Sequence, residues 1–393
     1  MAAHETTLAA QRLLRLSYLG FVSLGLPDTV LGAAWPALRA ELGLPLDAAG
    51  LVLLVTTFGI VVSSVSASRL RSRWGTGSVL VGSTLLAALA LALTATAQHW
   101  SVIVGSALLA GLGGGAIDAA LNEYVARHYQ ARHLTWLHAC WGIGAATAPL
   151  VVASVLAAGS SWRWAYAALA LLELLLSLSF AQTLTLWSRA ADVAHNTDPS
   201  AEHRPLRGPM LASVCLFYAY CGLEAGTGLW AASYLIGTRA VPKPMAGALV
   251  GLFWGALTLG RIVMGLRADA LGPTRVVRFA SASALVACVA LAVPATPTWF
   301  AALALAALGL SLAPIYPLVM HDTPARFPNS LGVRLVGYQV AAGSLGTATL
   351  PWLLGAVSAR TSLSILPVLL AGVAAAVLVL QRVRLRTIPD PRL

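Results

Sequence analysis

The sequence contains few charged residues and a single lysine. Only 10% of its 393 residues are charged, whereas 58% are hydrophobic and the mean hydropathy is +0.80. A soluble globular domain of this length needs a far more polar surface, so that class of protein is excluded. Apolar stretches of about 20 residues, the length of a membrane-spanning helix, recur along the chain. They lack the short alternation of barrel strands, so the spans are expected to be helical.

Cysteines and catalytic motifs are also scarce. The 4 cysteines lie in apolar stretches, without the spacing of metal ligands or of a disulfide framework, so no metal site is expected. There is no HExxH or G-x-S-x-G motif, and the scattered Ser, His and Asp residues do not form a spaced catalytic set. We therefore expect neither an enzyme nor a bound cofactor.

The chain is predicted to be an all-α membrane protein with twelve spans. An even number of spans puts both termini on one side. Segments on that side carry 19 of the 25 Lys and Arg residues, the opposite loops carry five, and Arg261 lies in a span. The positive-inside rule therefore predicts cytoplasmic termini, and the net charge of +11 reflects topology rather than nucleic-acid binding. Since Arg greatly outnumbers Lys, the expected location is a bacterial inner membrane. The predicted spans are 14–38, 48–69, 77–97, 101–126, 134–158, 164–187, 210–236, 245–267, 275–294, 298–320, 331–356 and 362–381.

One polar stretch divides the spans into six plus six. Residues 188–208 are rich in charge, Pro and Gly, and they predict a cytoplasmic linker between six-helix bundles at 1–187 and 209–393. Shifting the sequence by 197 residues aligns Gly75 with Gly272, among other glycines, which indicates a repeat. Parallel repeats around a midplane site are typical of the major facilitator fold, which is therefore the predicted fold.

A loop motif raises the specificity of this prediction. "GLRADALG", after the eighth span, resembles the facilitator signature G-x-L-a-D-R-x-G, with Ala270 in place of the usual Arg. The first-half copy, "SRLRSRWG", is degenerate. In that family the loop locks the bundles by pairing charges with helix ends, so we expect Asp269 and Arg261 to contribute most to gating. The alternative is that these charges only set topology. The residues assigned to gating are Arg73, Gly75, Arg261, Gly265, Asp269 and Gly272.

The predicted spans of the first half contain a candidate proton site. A charged side chain at a helix centre costs roughly 2.5–3.5 kcal/mol, so it should face a cavity or a partner. Asp118 and Asn122 are four residues apart and share a helical face. At helical rise, Asp118 and His138 lie about 14 Å and about 10 Å from the same side of the membrane, so they could meet as an Asp–His proton site. The alternative for His138 is packing, and Glu123 is expected at the interface.

Glu224 and Asp28 lie at matching depth in symmetry-related helices, about 22 Å and about 24 Å from the cytoplasmic side. This indicates a shared cavity. Tyr220 and Tyr234 share the helical face of Glu224, with Trp230 beside it. A carboxylate flanked by aromatic rings suits a polyhydroxylated ligand such as a sugar. The alternative is a protonated Glu that holds helices together.

Several weaker candidates complete the predicted solute site. Trp254, Tyr316 and Gln339 could line the cavity or could serve helix packing. Glu173, in the sixth span, has no functional interpretation and could be protonated, reach the headgroups or face a partner. The residues assigned to solute binding are Asp28, Asn122, Tyr220, Glu224, Trp230, Tyr234, Trp254, Tyr316 and Gln339.

Three helices resemble one branch of the facilitators. "GLGGGAIDAALNEYV", "LHACWGIGAATAP" and "YCGLEAGTGLWAASYL" are similar to the fourth, fifth and seventh helices of fucose-permease-like sugar:proton symporters and the related sodium-dependent glucose transporter-like proteins. The resemblance implies that Asp118 takes the place of a glutamate implicated in proton coupling. Asp28 departs from that branch, because it does not match the register of the Asn/Asp cluster in the first helix.

The predicted function is secondary active transport: import of a small polar solute, first of all a sugar, by alternating access. Asp118 and His138 are the predicted proton-coupling residues; the proton is the expected coupling ion, with sodium as the alternative. Proton-coupled export is the second hypothesis, although "GIGAATAPLV" offers only Gly144 and Pro149 of the antiporter pattern. A non-transporting sensor or a lipid scramblase is the third, and intramembrane acids argue against a sensor. The expected partners are the lipid bilayer and the solute, with no nucleic acid and a monomeric protein.

Overall fold

The computed structural model describes residues 2–129, 131–187, 208–327 and 330–385. Within these ranges every regular element is a helix, which confirms the predicted all-α class. The α-helices are α1 (Ala2–Leu42), α2 (Ala48–Trp74), α3 (Thr76–Thr96), α4 (Trp100–His128), α5 (Ala131–Ala157), α6 (Arg163–Ala181), α7 (Gly208–Arg239), α8 (Lys243–Leu271), α9 (Pro273–Ala292), α10 (Thr298–Leu312), α11 (Ile315–Arg326), α12 (Ser330–Arg360) and α13 (Leu366–Arg384).

Twelve helical segments are long and apolar enough to cross a membrane, which confirms the predicted number of spans. The tenth span was predicted as one helix but consists of α10 and α11. The break lies at Ala313 and Pro314, because a proline has no backbone N–H and its ring crowds the carbonyl of the preceding turn. Several spans also extend beyond their predicted ends, as in α7, which runs from Gly208 to Arg239.

The chain divides into two compact units. The first unit contains Met1–Val193 and the beginning of α8, Pro242–Gly251, and the second contains Ala194–Val241 and Leu252–Leu393. Of the predicted linker, residues 188–207 lie outside the described residues. The linker and the bundle boundaries at 187 and 209 therefore stay predictions.

Corresponding helices pack in the same pairs within each unit. In the first unit α1 packs on α5, α3 on α6 and α2 on α4. In the second unit α7 packs on α12 and α9 on α13. The 197-residue shift that aligns the two halves carries α1 and α5 onto α7 and α12, and carries α3 and α6 onto α9 and α13. The sequence repeat is therefore also a repeat of helix packing.

In each unit a glycine brings two helix backbones into contact. The helices are α1 and α5 in the first unit, and α7 and α12 in the second. A Cβ atom at Gly144 of α5 would lie 1.9 Å from the Val22 carbonyl oxygen of α1. In the second unit a Cβ atom at Gly346 of α12 would lie 2.0 Å from the Tyr218 carbonyl oxygen of α7. No side chain fits at these distances, so the two crossings require glycine.

The loops between α2 and α3 and between α8 and α9 also share their geometry. Gly75 and Gly272, aligned by the repeat, both have a φ of 80°. This is a conformation that glycine adopts without strain. Two of the three predicted gating glycines, Gly75 and Gly272, are therefore turn residues at equivalent positions.

Candidate functional site

In the first unit, the crossing of α1 and α5 positions an aspartate against a tryptophan. Trp141 lies one turn before Gly144 on α5, and Asp28 lies one turn after Gly25 on α1. Since the two helices touch at these glycines, the Trp141 indole Nε1 donates to Asp28 Oδ2 at 3.0 Å. Asp28 was predicted as a site residue but Trp141 was not, because their contact depends on how two helices cross.

A second aspartate of the first unit lies near Asp28. Asp118 and Asn122 are neighbours on α4, as predicted, and Asn122 Nδ2 donates to Asp118 Oδ1 at 3.0 Å. Both aspartates are exposed residues, and their carboxylates are close enough to interact electrostatically. Among the described residues, neither carboxylate forms an ion pair. α1 and α4 thus bring together two acidic groups within membrane-spanning helices.

His138 lies one turn before Trp141 on α5. Its ring meets the ring of Phe21 edge to face, with the centroids 5.6 Å apart. The predicted partnership of His138 with Asp118 stays a prediction.

In the second unit, Glu224 and Arg261 form an ion pair, and with Tyr220 they make up a group that we name the Arg261 cluster. Arg261 Nη2 lies 3.3 Å from Glu224 Oε1 and 3.2 Å from Glu224 Oε2. The Tyr220 hydroxyl donates a short hydrogen bond to Glu224 Oε2. Arg261 comes from α8, whereas the other two come from α7. Sequence reasoning assigned Arg261 to gating and Glu224 to the solute, and the structure brings them together.

Aromatic rings surround this cluster on the α7 side. Tyr316 of α11 lies with its ring centroid 6.1 Å from that of Tyr220 and 4.9 Å from that of Phe217. Tyr220 is buried, whereas the side chains of Glu224 and Arg261 retain 12% and 19% exposure. The charged side chains of the cluster are therefore partly exposed, and so is Tyr316, whereas Tyr220 and Phe217 are buried.

Three other predicted solute-binding residues hold helices together. The Trp230 indole donates to the Pro351 carbonyl at 2.7 Å, and the Tyr234 hydroxyl donates to the Leu291 carbonyl at 2.9 Å. Gln339 is fully buried, and its Nε2 donates to Ser213 Oγ at 2.6 Å and Thr323 Oγ1 at 2.9 Å. The Trp230 contact joins α7 to α12, and the Tyr234 contact joins α7 to α9. The Gln339 contacts join α12 to both α7 and α11. Trp254 is also buried and packs against Gly228 of α7.

Glu173 is buried inside the first unit, with an exposure of 1%. It therefore neither reaches the headgroups nor faces a partner chain. Its carboxyl group interacts with the Ser23 hydroxyl of α1, and Oε2 has no hydrogen-bond partner among the described residues.

The buried charge near the first-half loop is Arg71, which sequence reasoning did not single out. Arg73, the predicted gating residue, is exposed. Arg71 is 5% exposed, forms a short ion pair with Glu123 of α4, and donates to the Ala119 carbonyl at 3.3 Å. Glu123 also pairs with Arg127 at 2.5 Å, so it joins two arginines rather than only lying at the interface.

A sequence signal for Arg71 exists. Gly59, Ser63, Ala67 and Arg71 recur every four residues and form the buried stripe of α2. In the second-half copy, the side chain of Asp269 and the surroundings of Gly265 lie outside what the structure describes, so the gating assignment of both residues stays a prediction.

A second charge pair that sequence reasoning missed lies in the second unit. Arg384 of α13 is 2% exposed and donates to Asp322 Oδ2 of α11 at 2.5 Å. Arg326 donates to the same oxygen at 3.0 Å. Each unit therefore contains a carboxylate shared by two arginines, one of them buried.

A family model supports the fold on independent grounds. The model described as Major Facilitator Superfamily matches residues 17–351. Bypass of stop codon protein 6 of Saccharomyces cerevisiae is 23% identical over 388 residues, which are 89% of this chain and 77% of that protein. An uncharacterized MFS-type transporter of Mycobacterium tuberculosis is 32% identical over 143 residues, which are 35% of this chain and 20% of that protein.

Solved structures of transporters share the fold. A bacterial homolog of the human lysosomal transporter Spinster superposes with a TM-score of 0.77 at 10% identity, covering 95% of this chain and 96% of that one. A D-xylose-proton symporter gives 0.74 at 13% identity, covering 97% and 98%. The nucleoside transporter NupG gives 0.72 at 15% identity, covering 96% and 99%. At these identities the likeness concerns the fold alone.

Proposed function

Because the chain belongs to the Major Facilitator Superfamily, and is thus a multi-pass transporter rather than an enzyme, we propose that it imports a small polar solute with protons by alternating access. The solute is a sugar or a similar hydroxylated compound. The protein acts as a monomer in a bacterial inner membrane, with both termini in the cytoplasm.

The observation that carries this proposal is the pair of aspartates in the first unit. Asp28 and Asp118 are exposed, interact electrostatically and are hydrogen-bonded by Trp141 and Asn122, both uncharged. Two carboxylates without a cationic partner among the described residues repel each other when both are ionised, which favours a proton on one of them. A change of hydration during alternating access would let this proton bind on one side and leave on the other. Asp118 is the principal proton site, and His138 is the second proton-coupling residue.

The Arg261 cluster supports a solute site in the second unit. Glu224 and Arg261 remain partly exposed, and Tyr220 and Tyr316 supply aromatic walls. Such a mixture of polar groups and rings is common in sites for small hydroxylated ligands. Because Trp230, Tyr234 and Gln339 are engaged in helix packing, we do not assign them to solute contact.

The branch of the family is part of the proposal. The fourth, fifth and seventh helices resemble those of fucose-permease-like sugar:proton symporters, and a D-xylose-proton symporter has the same fold. The helix resemblance favours a sugar and a proton over other cargoes. The shared fold is compatible with this choice but does not select it, since one fold carries many unrelated solutes.

Transport into proteoliposomes under an imposed pH gradient tests the proposal. A panel of labelled sugars and related solutes is offered to the wild type and to Asp118→Asn. We expect gradient-driven accumulation by the wild type and a loss of about tenfold or more in Asp118→Asn, because coupling between sites is typically of this size. Solute exchange without a gradient should persist in the variant, since only the proton site is removed.

Asp47→Asn is the matched control. Asp47 precedes α2 outside the predicted spans, and its side chain makes no capping hydrogen bond. This variant should accumulate solute as the wild type does. If Asp118→Asn still accumulates solute against a gradient, the proton assignment is wrong. If the wild type expels solute in exchange for protons, export replaces import.

A further inference from the structure

We propose that the Arg261 cluster binds the acidic group of an anionic solute, such as a hydroxylated carboxylate, and that Glu224 is the internal counter-ion which this group displaces from Arg261. The inference rests on the proposed function and names the chemical class of its solute. It also changes the roles of two residues. Arg261 becomes the solute-binding group, and Glu224 takes the place of the solute's acidic group when no solute is bound.

The geometry of the cluster is that of a carboxylate site. Arg261 Nη2 lies within 3.3 Å of both Glu224 oxygens, and the Tyr220 hydroxyl donates to one of them. A guanidinium and a phenol hydroxyl aimed at one carboxylate would hold a solute carboxylate in the same way. Glu224 thus shows where the acidic group of a solute would lie.

Arg261 differs from Arg384 of the second unit in exposure, and from Arg239 in the groups that it contacts. Arg384 is 2% exposed and is held by Asp322. Arg239 caps the end of α9: it donates to the carbonyls of Leu291 at 2.8 Å and Val293 at 2.9 Å, and to Thr296. Arg261, by contrast, keeps 19% exposure inside a span and is paired with a carboxylate that is itself 12% exposed. Its counter-ion is therefore accessible to replacement.

The net charge of the cluster couples the anion to a proton. The Glu224–Arg261 pair is neutral. An anion alone would make the cluster negative, and a proton on Glu224 alone would make it positive. Both states are costly within a membrane protein. When Glu224 takes a proton and the anion takes its place on Arg261, the cluster is neutral again. Proton and anion should therefore bind together, which is the requirement for symport.

Glu224→Gln tests this arrangement without knowledge of the natural solute, because glutamine imitates the protonated acid. The probe is sodium D-gluconate, with sodium acetate as a bare carboxylate, D-glucose as a neutral analogue and sodium chloride at equal ionic strength. Thermal unfolding is followed on the full-length protein in detergent. We expect both carboxylates to raise the Tm of Glu224→Gln by on the order of 3 °C at saturating concentration, with no rise from glucose or chloride.

The control is the double variant Glu224→Gln/Arg261→Gln, which removes both charges and so leaves no unpaired ion. Its Tm should not respond to gluconate. Arg261→Lys in the Glu224→Gln background keeps the charge but loses the planar fork, so gluconate should bind about tenfold more weakly. If Glu224→Gln does not fold, the wild type serves instead: its stabilisation by gluconate should increase as the pH falls, because Glu224 must be protonated to release Arg261.

Equal responses of the single and double variants, or a response to chloride as large as that to gluconate, would overturn the inference. So would stabilisation by glucose but not by either carboxylate. These results concern binding alone, so they are independent of the Asp118 experiment. Proton-driven uptake of a neutral sugar without any gluconate binding would leave the proposed function intact and exclude the anionic solute.

Discussion

Arg71 joins α2 to α4 through one buried guanidinium. Its side chain is 5% exposed, and Glu123 is the carboxylate that it meets. Glu123 is less buried, at 30% exposure, and has Arg127 as a second partner. The two ends of this ion pair are therefore unequal: Glu123 keeps a cation if Arg71 is removed, whereas Arg71 loses its carboxylate if Glu123 is removed.

This inequality predicts the order of two substitutions. Glu123→Gln should lower the free energy of unfolding by about 3 kcal/mol, because it removes the carboxylate that this buried guanidinium meets. Arg71→Gln should cost about 1 kcal/mol, since the remaining pair is partly solvated. Arg73→Gln, at an exposed position two residues away, is the control and should change stability by less than about 0.5 kcal/mol. Unfolding in mixed micelles of detergent and SDS gives the comparison, and an equal effect of the first two would show that the pair is symmetric.

At the scale of helices, the crossing of α7 and α12 depends on Gly346. A methyl group at this position would lie 2.0 Å from the Tyr218 carbonyl oxygen, so Gly346→Ala must push the two helices apart. Gly337 lies on the same helix. Apart from the backbone of its own helix and its two chain neighbours, a methyl group added there would have no atom within 4 Å, so Gly337→Ala meets open space.

We expect Gly346→Ala to lower stability by about 2 kcal/mol through overpacking, and Gly337→Ala to raise it by about 0.5 kcal/mol through the better helix propensity of alanine. The Tm of each purified variant measures the difference. If the two variants unfold at the same temperature, the close crossing of α7 and α12 is not required for stability.

The sequence could predict contacts between residues that are close together in the chain, but not contacts between residues on different helices. Asp118 and Asn122 lie four residues apart on one helix, so helical periodicity alone brings them together, and the structure shows their hydrogen bond. Asp28 with Trp141 and Glu224 with Arg261 come from different helices, and which side chains meet there depends on the crossing. Periodicity does not contain that information. The repeat and the number of spans, however, predict that both halves share one arrangement of helices, and so the architecture could be predicted although the individual contacts could not.

At the scale of the whole molecule, the repeat and the charge distribution together predict how the chain crosses the membrane. Twelve spans return the chain to its starting side, and the positive-inside rule makes the side with 19 of the 25 basic residues cytoplasmic. Ser72, beside the α2–α3 loop, should then face the cytoplasm. Ser160, before α6, and Ser362, before α13, should face the outside. All three serines are exposed residues, so their labelling can be compared directly.

Single cysteines at these positions test the topology in a variant whose four native cysteines are replaced by serine. In intact cells a membrane-impermeant maleimide should label Ser160→Cys and Ser362→Cys, and it should label Ser72→Cys only after permeabilisation. The reversed pattern would mean that the basic side is outside. Labelling of Ser160→Cys and Ser362→Cys from opposite sides would contradict the number of spans between them. Six spans separate these residues, and an even number must return the chain to the same side. The repeat itself would then be inverted, and the predicted parallel arrangement of the two halves would be wrong.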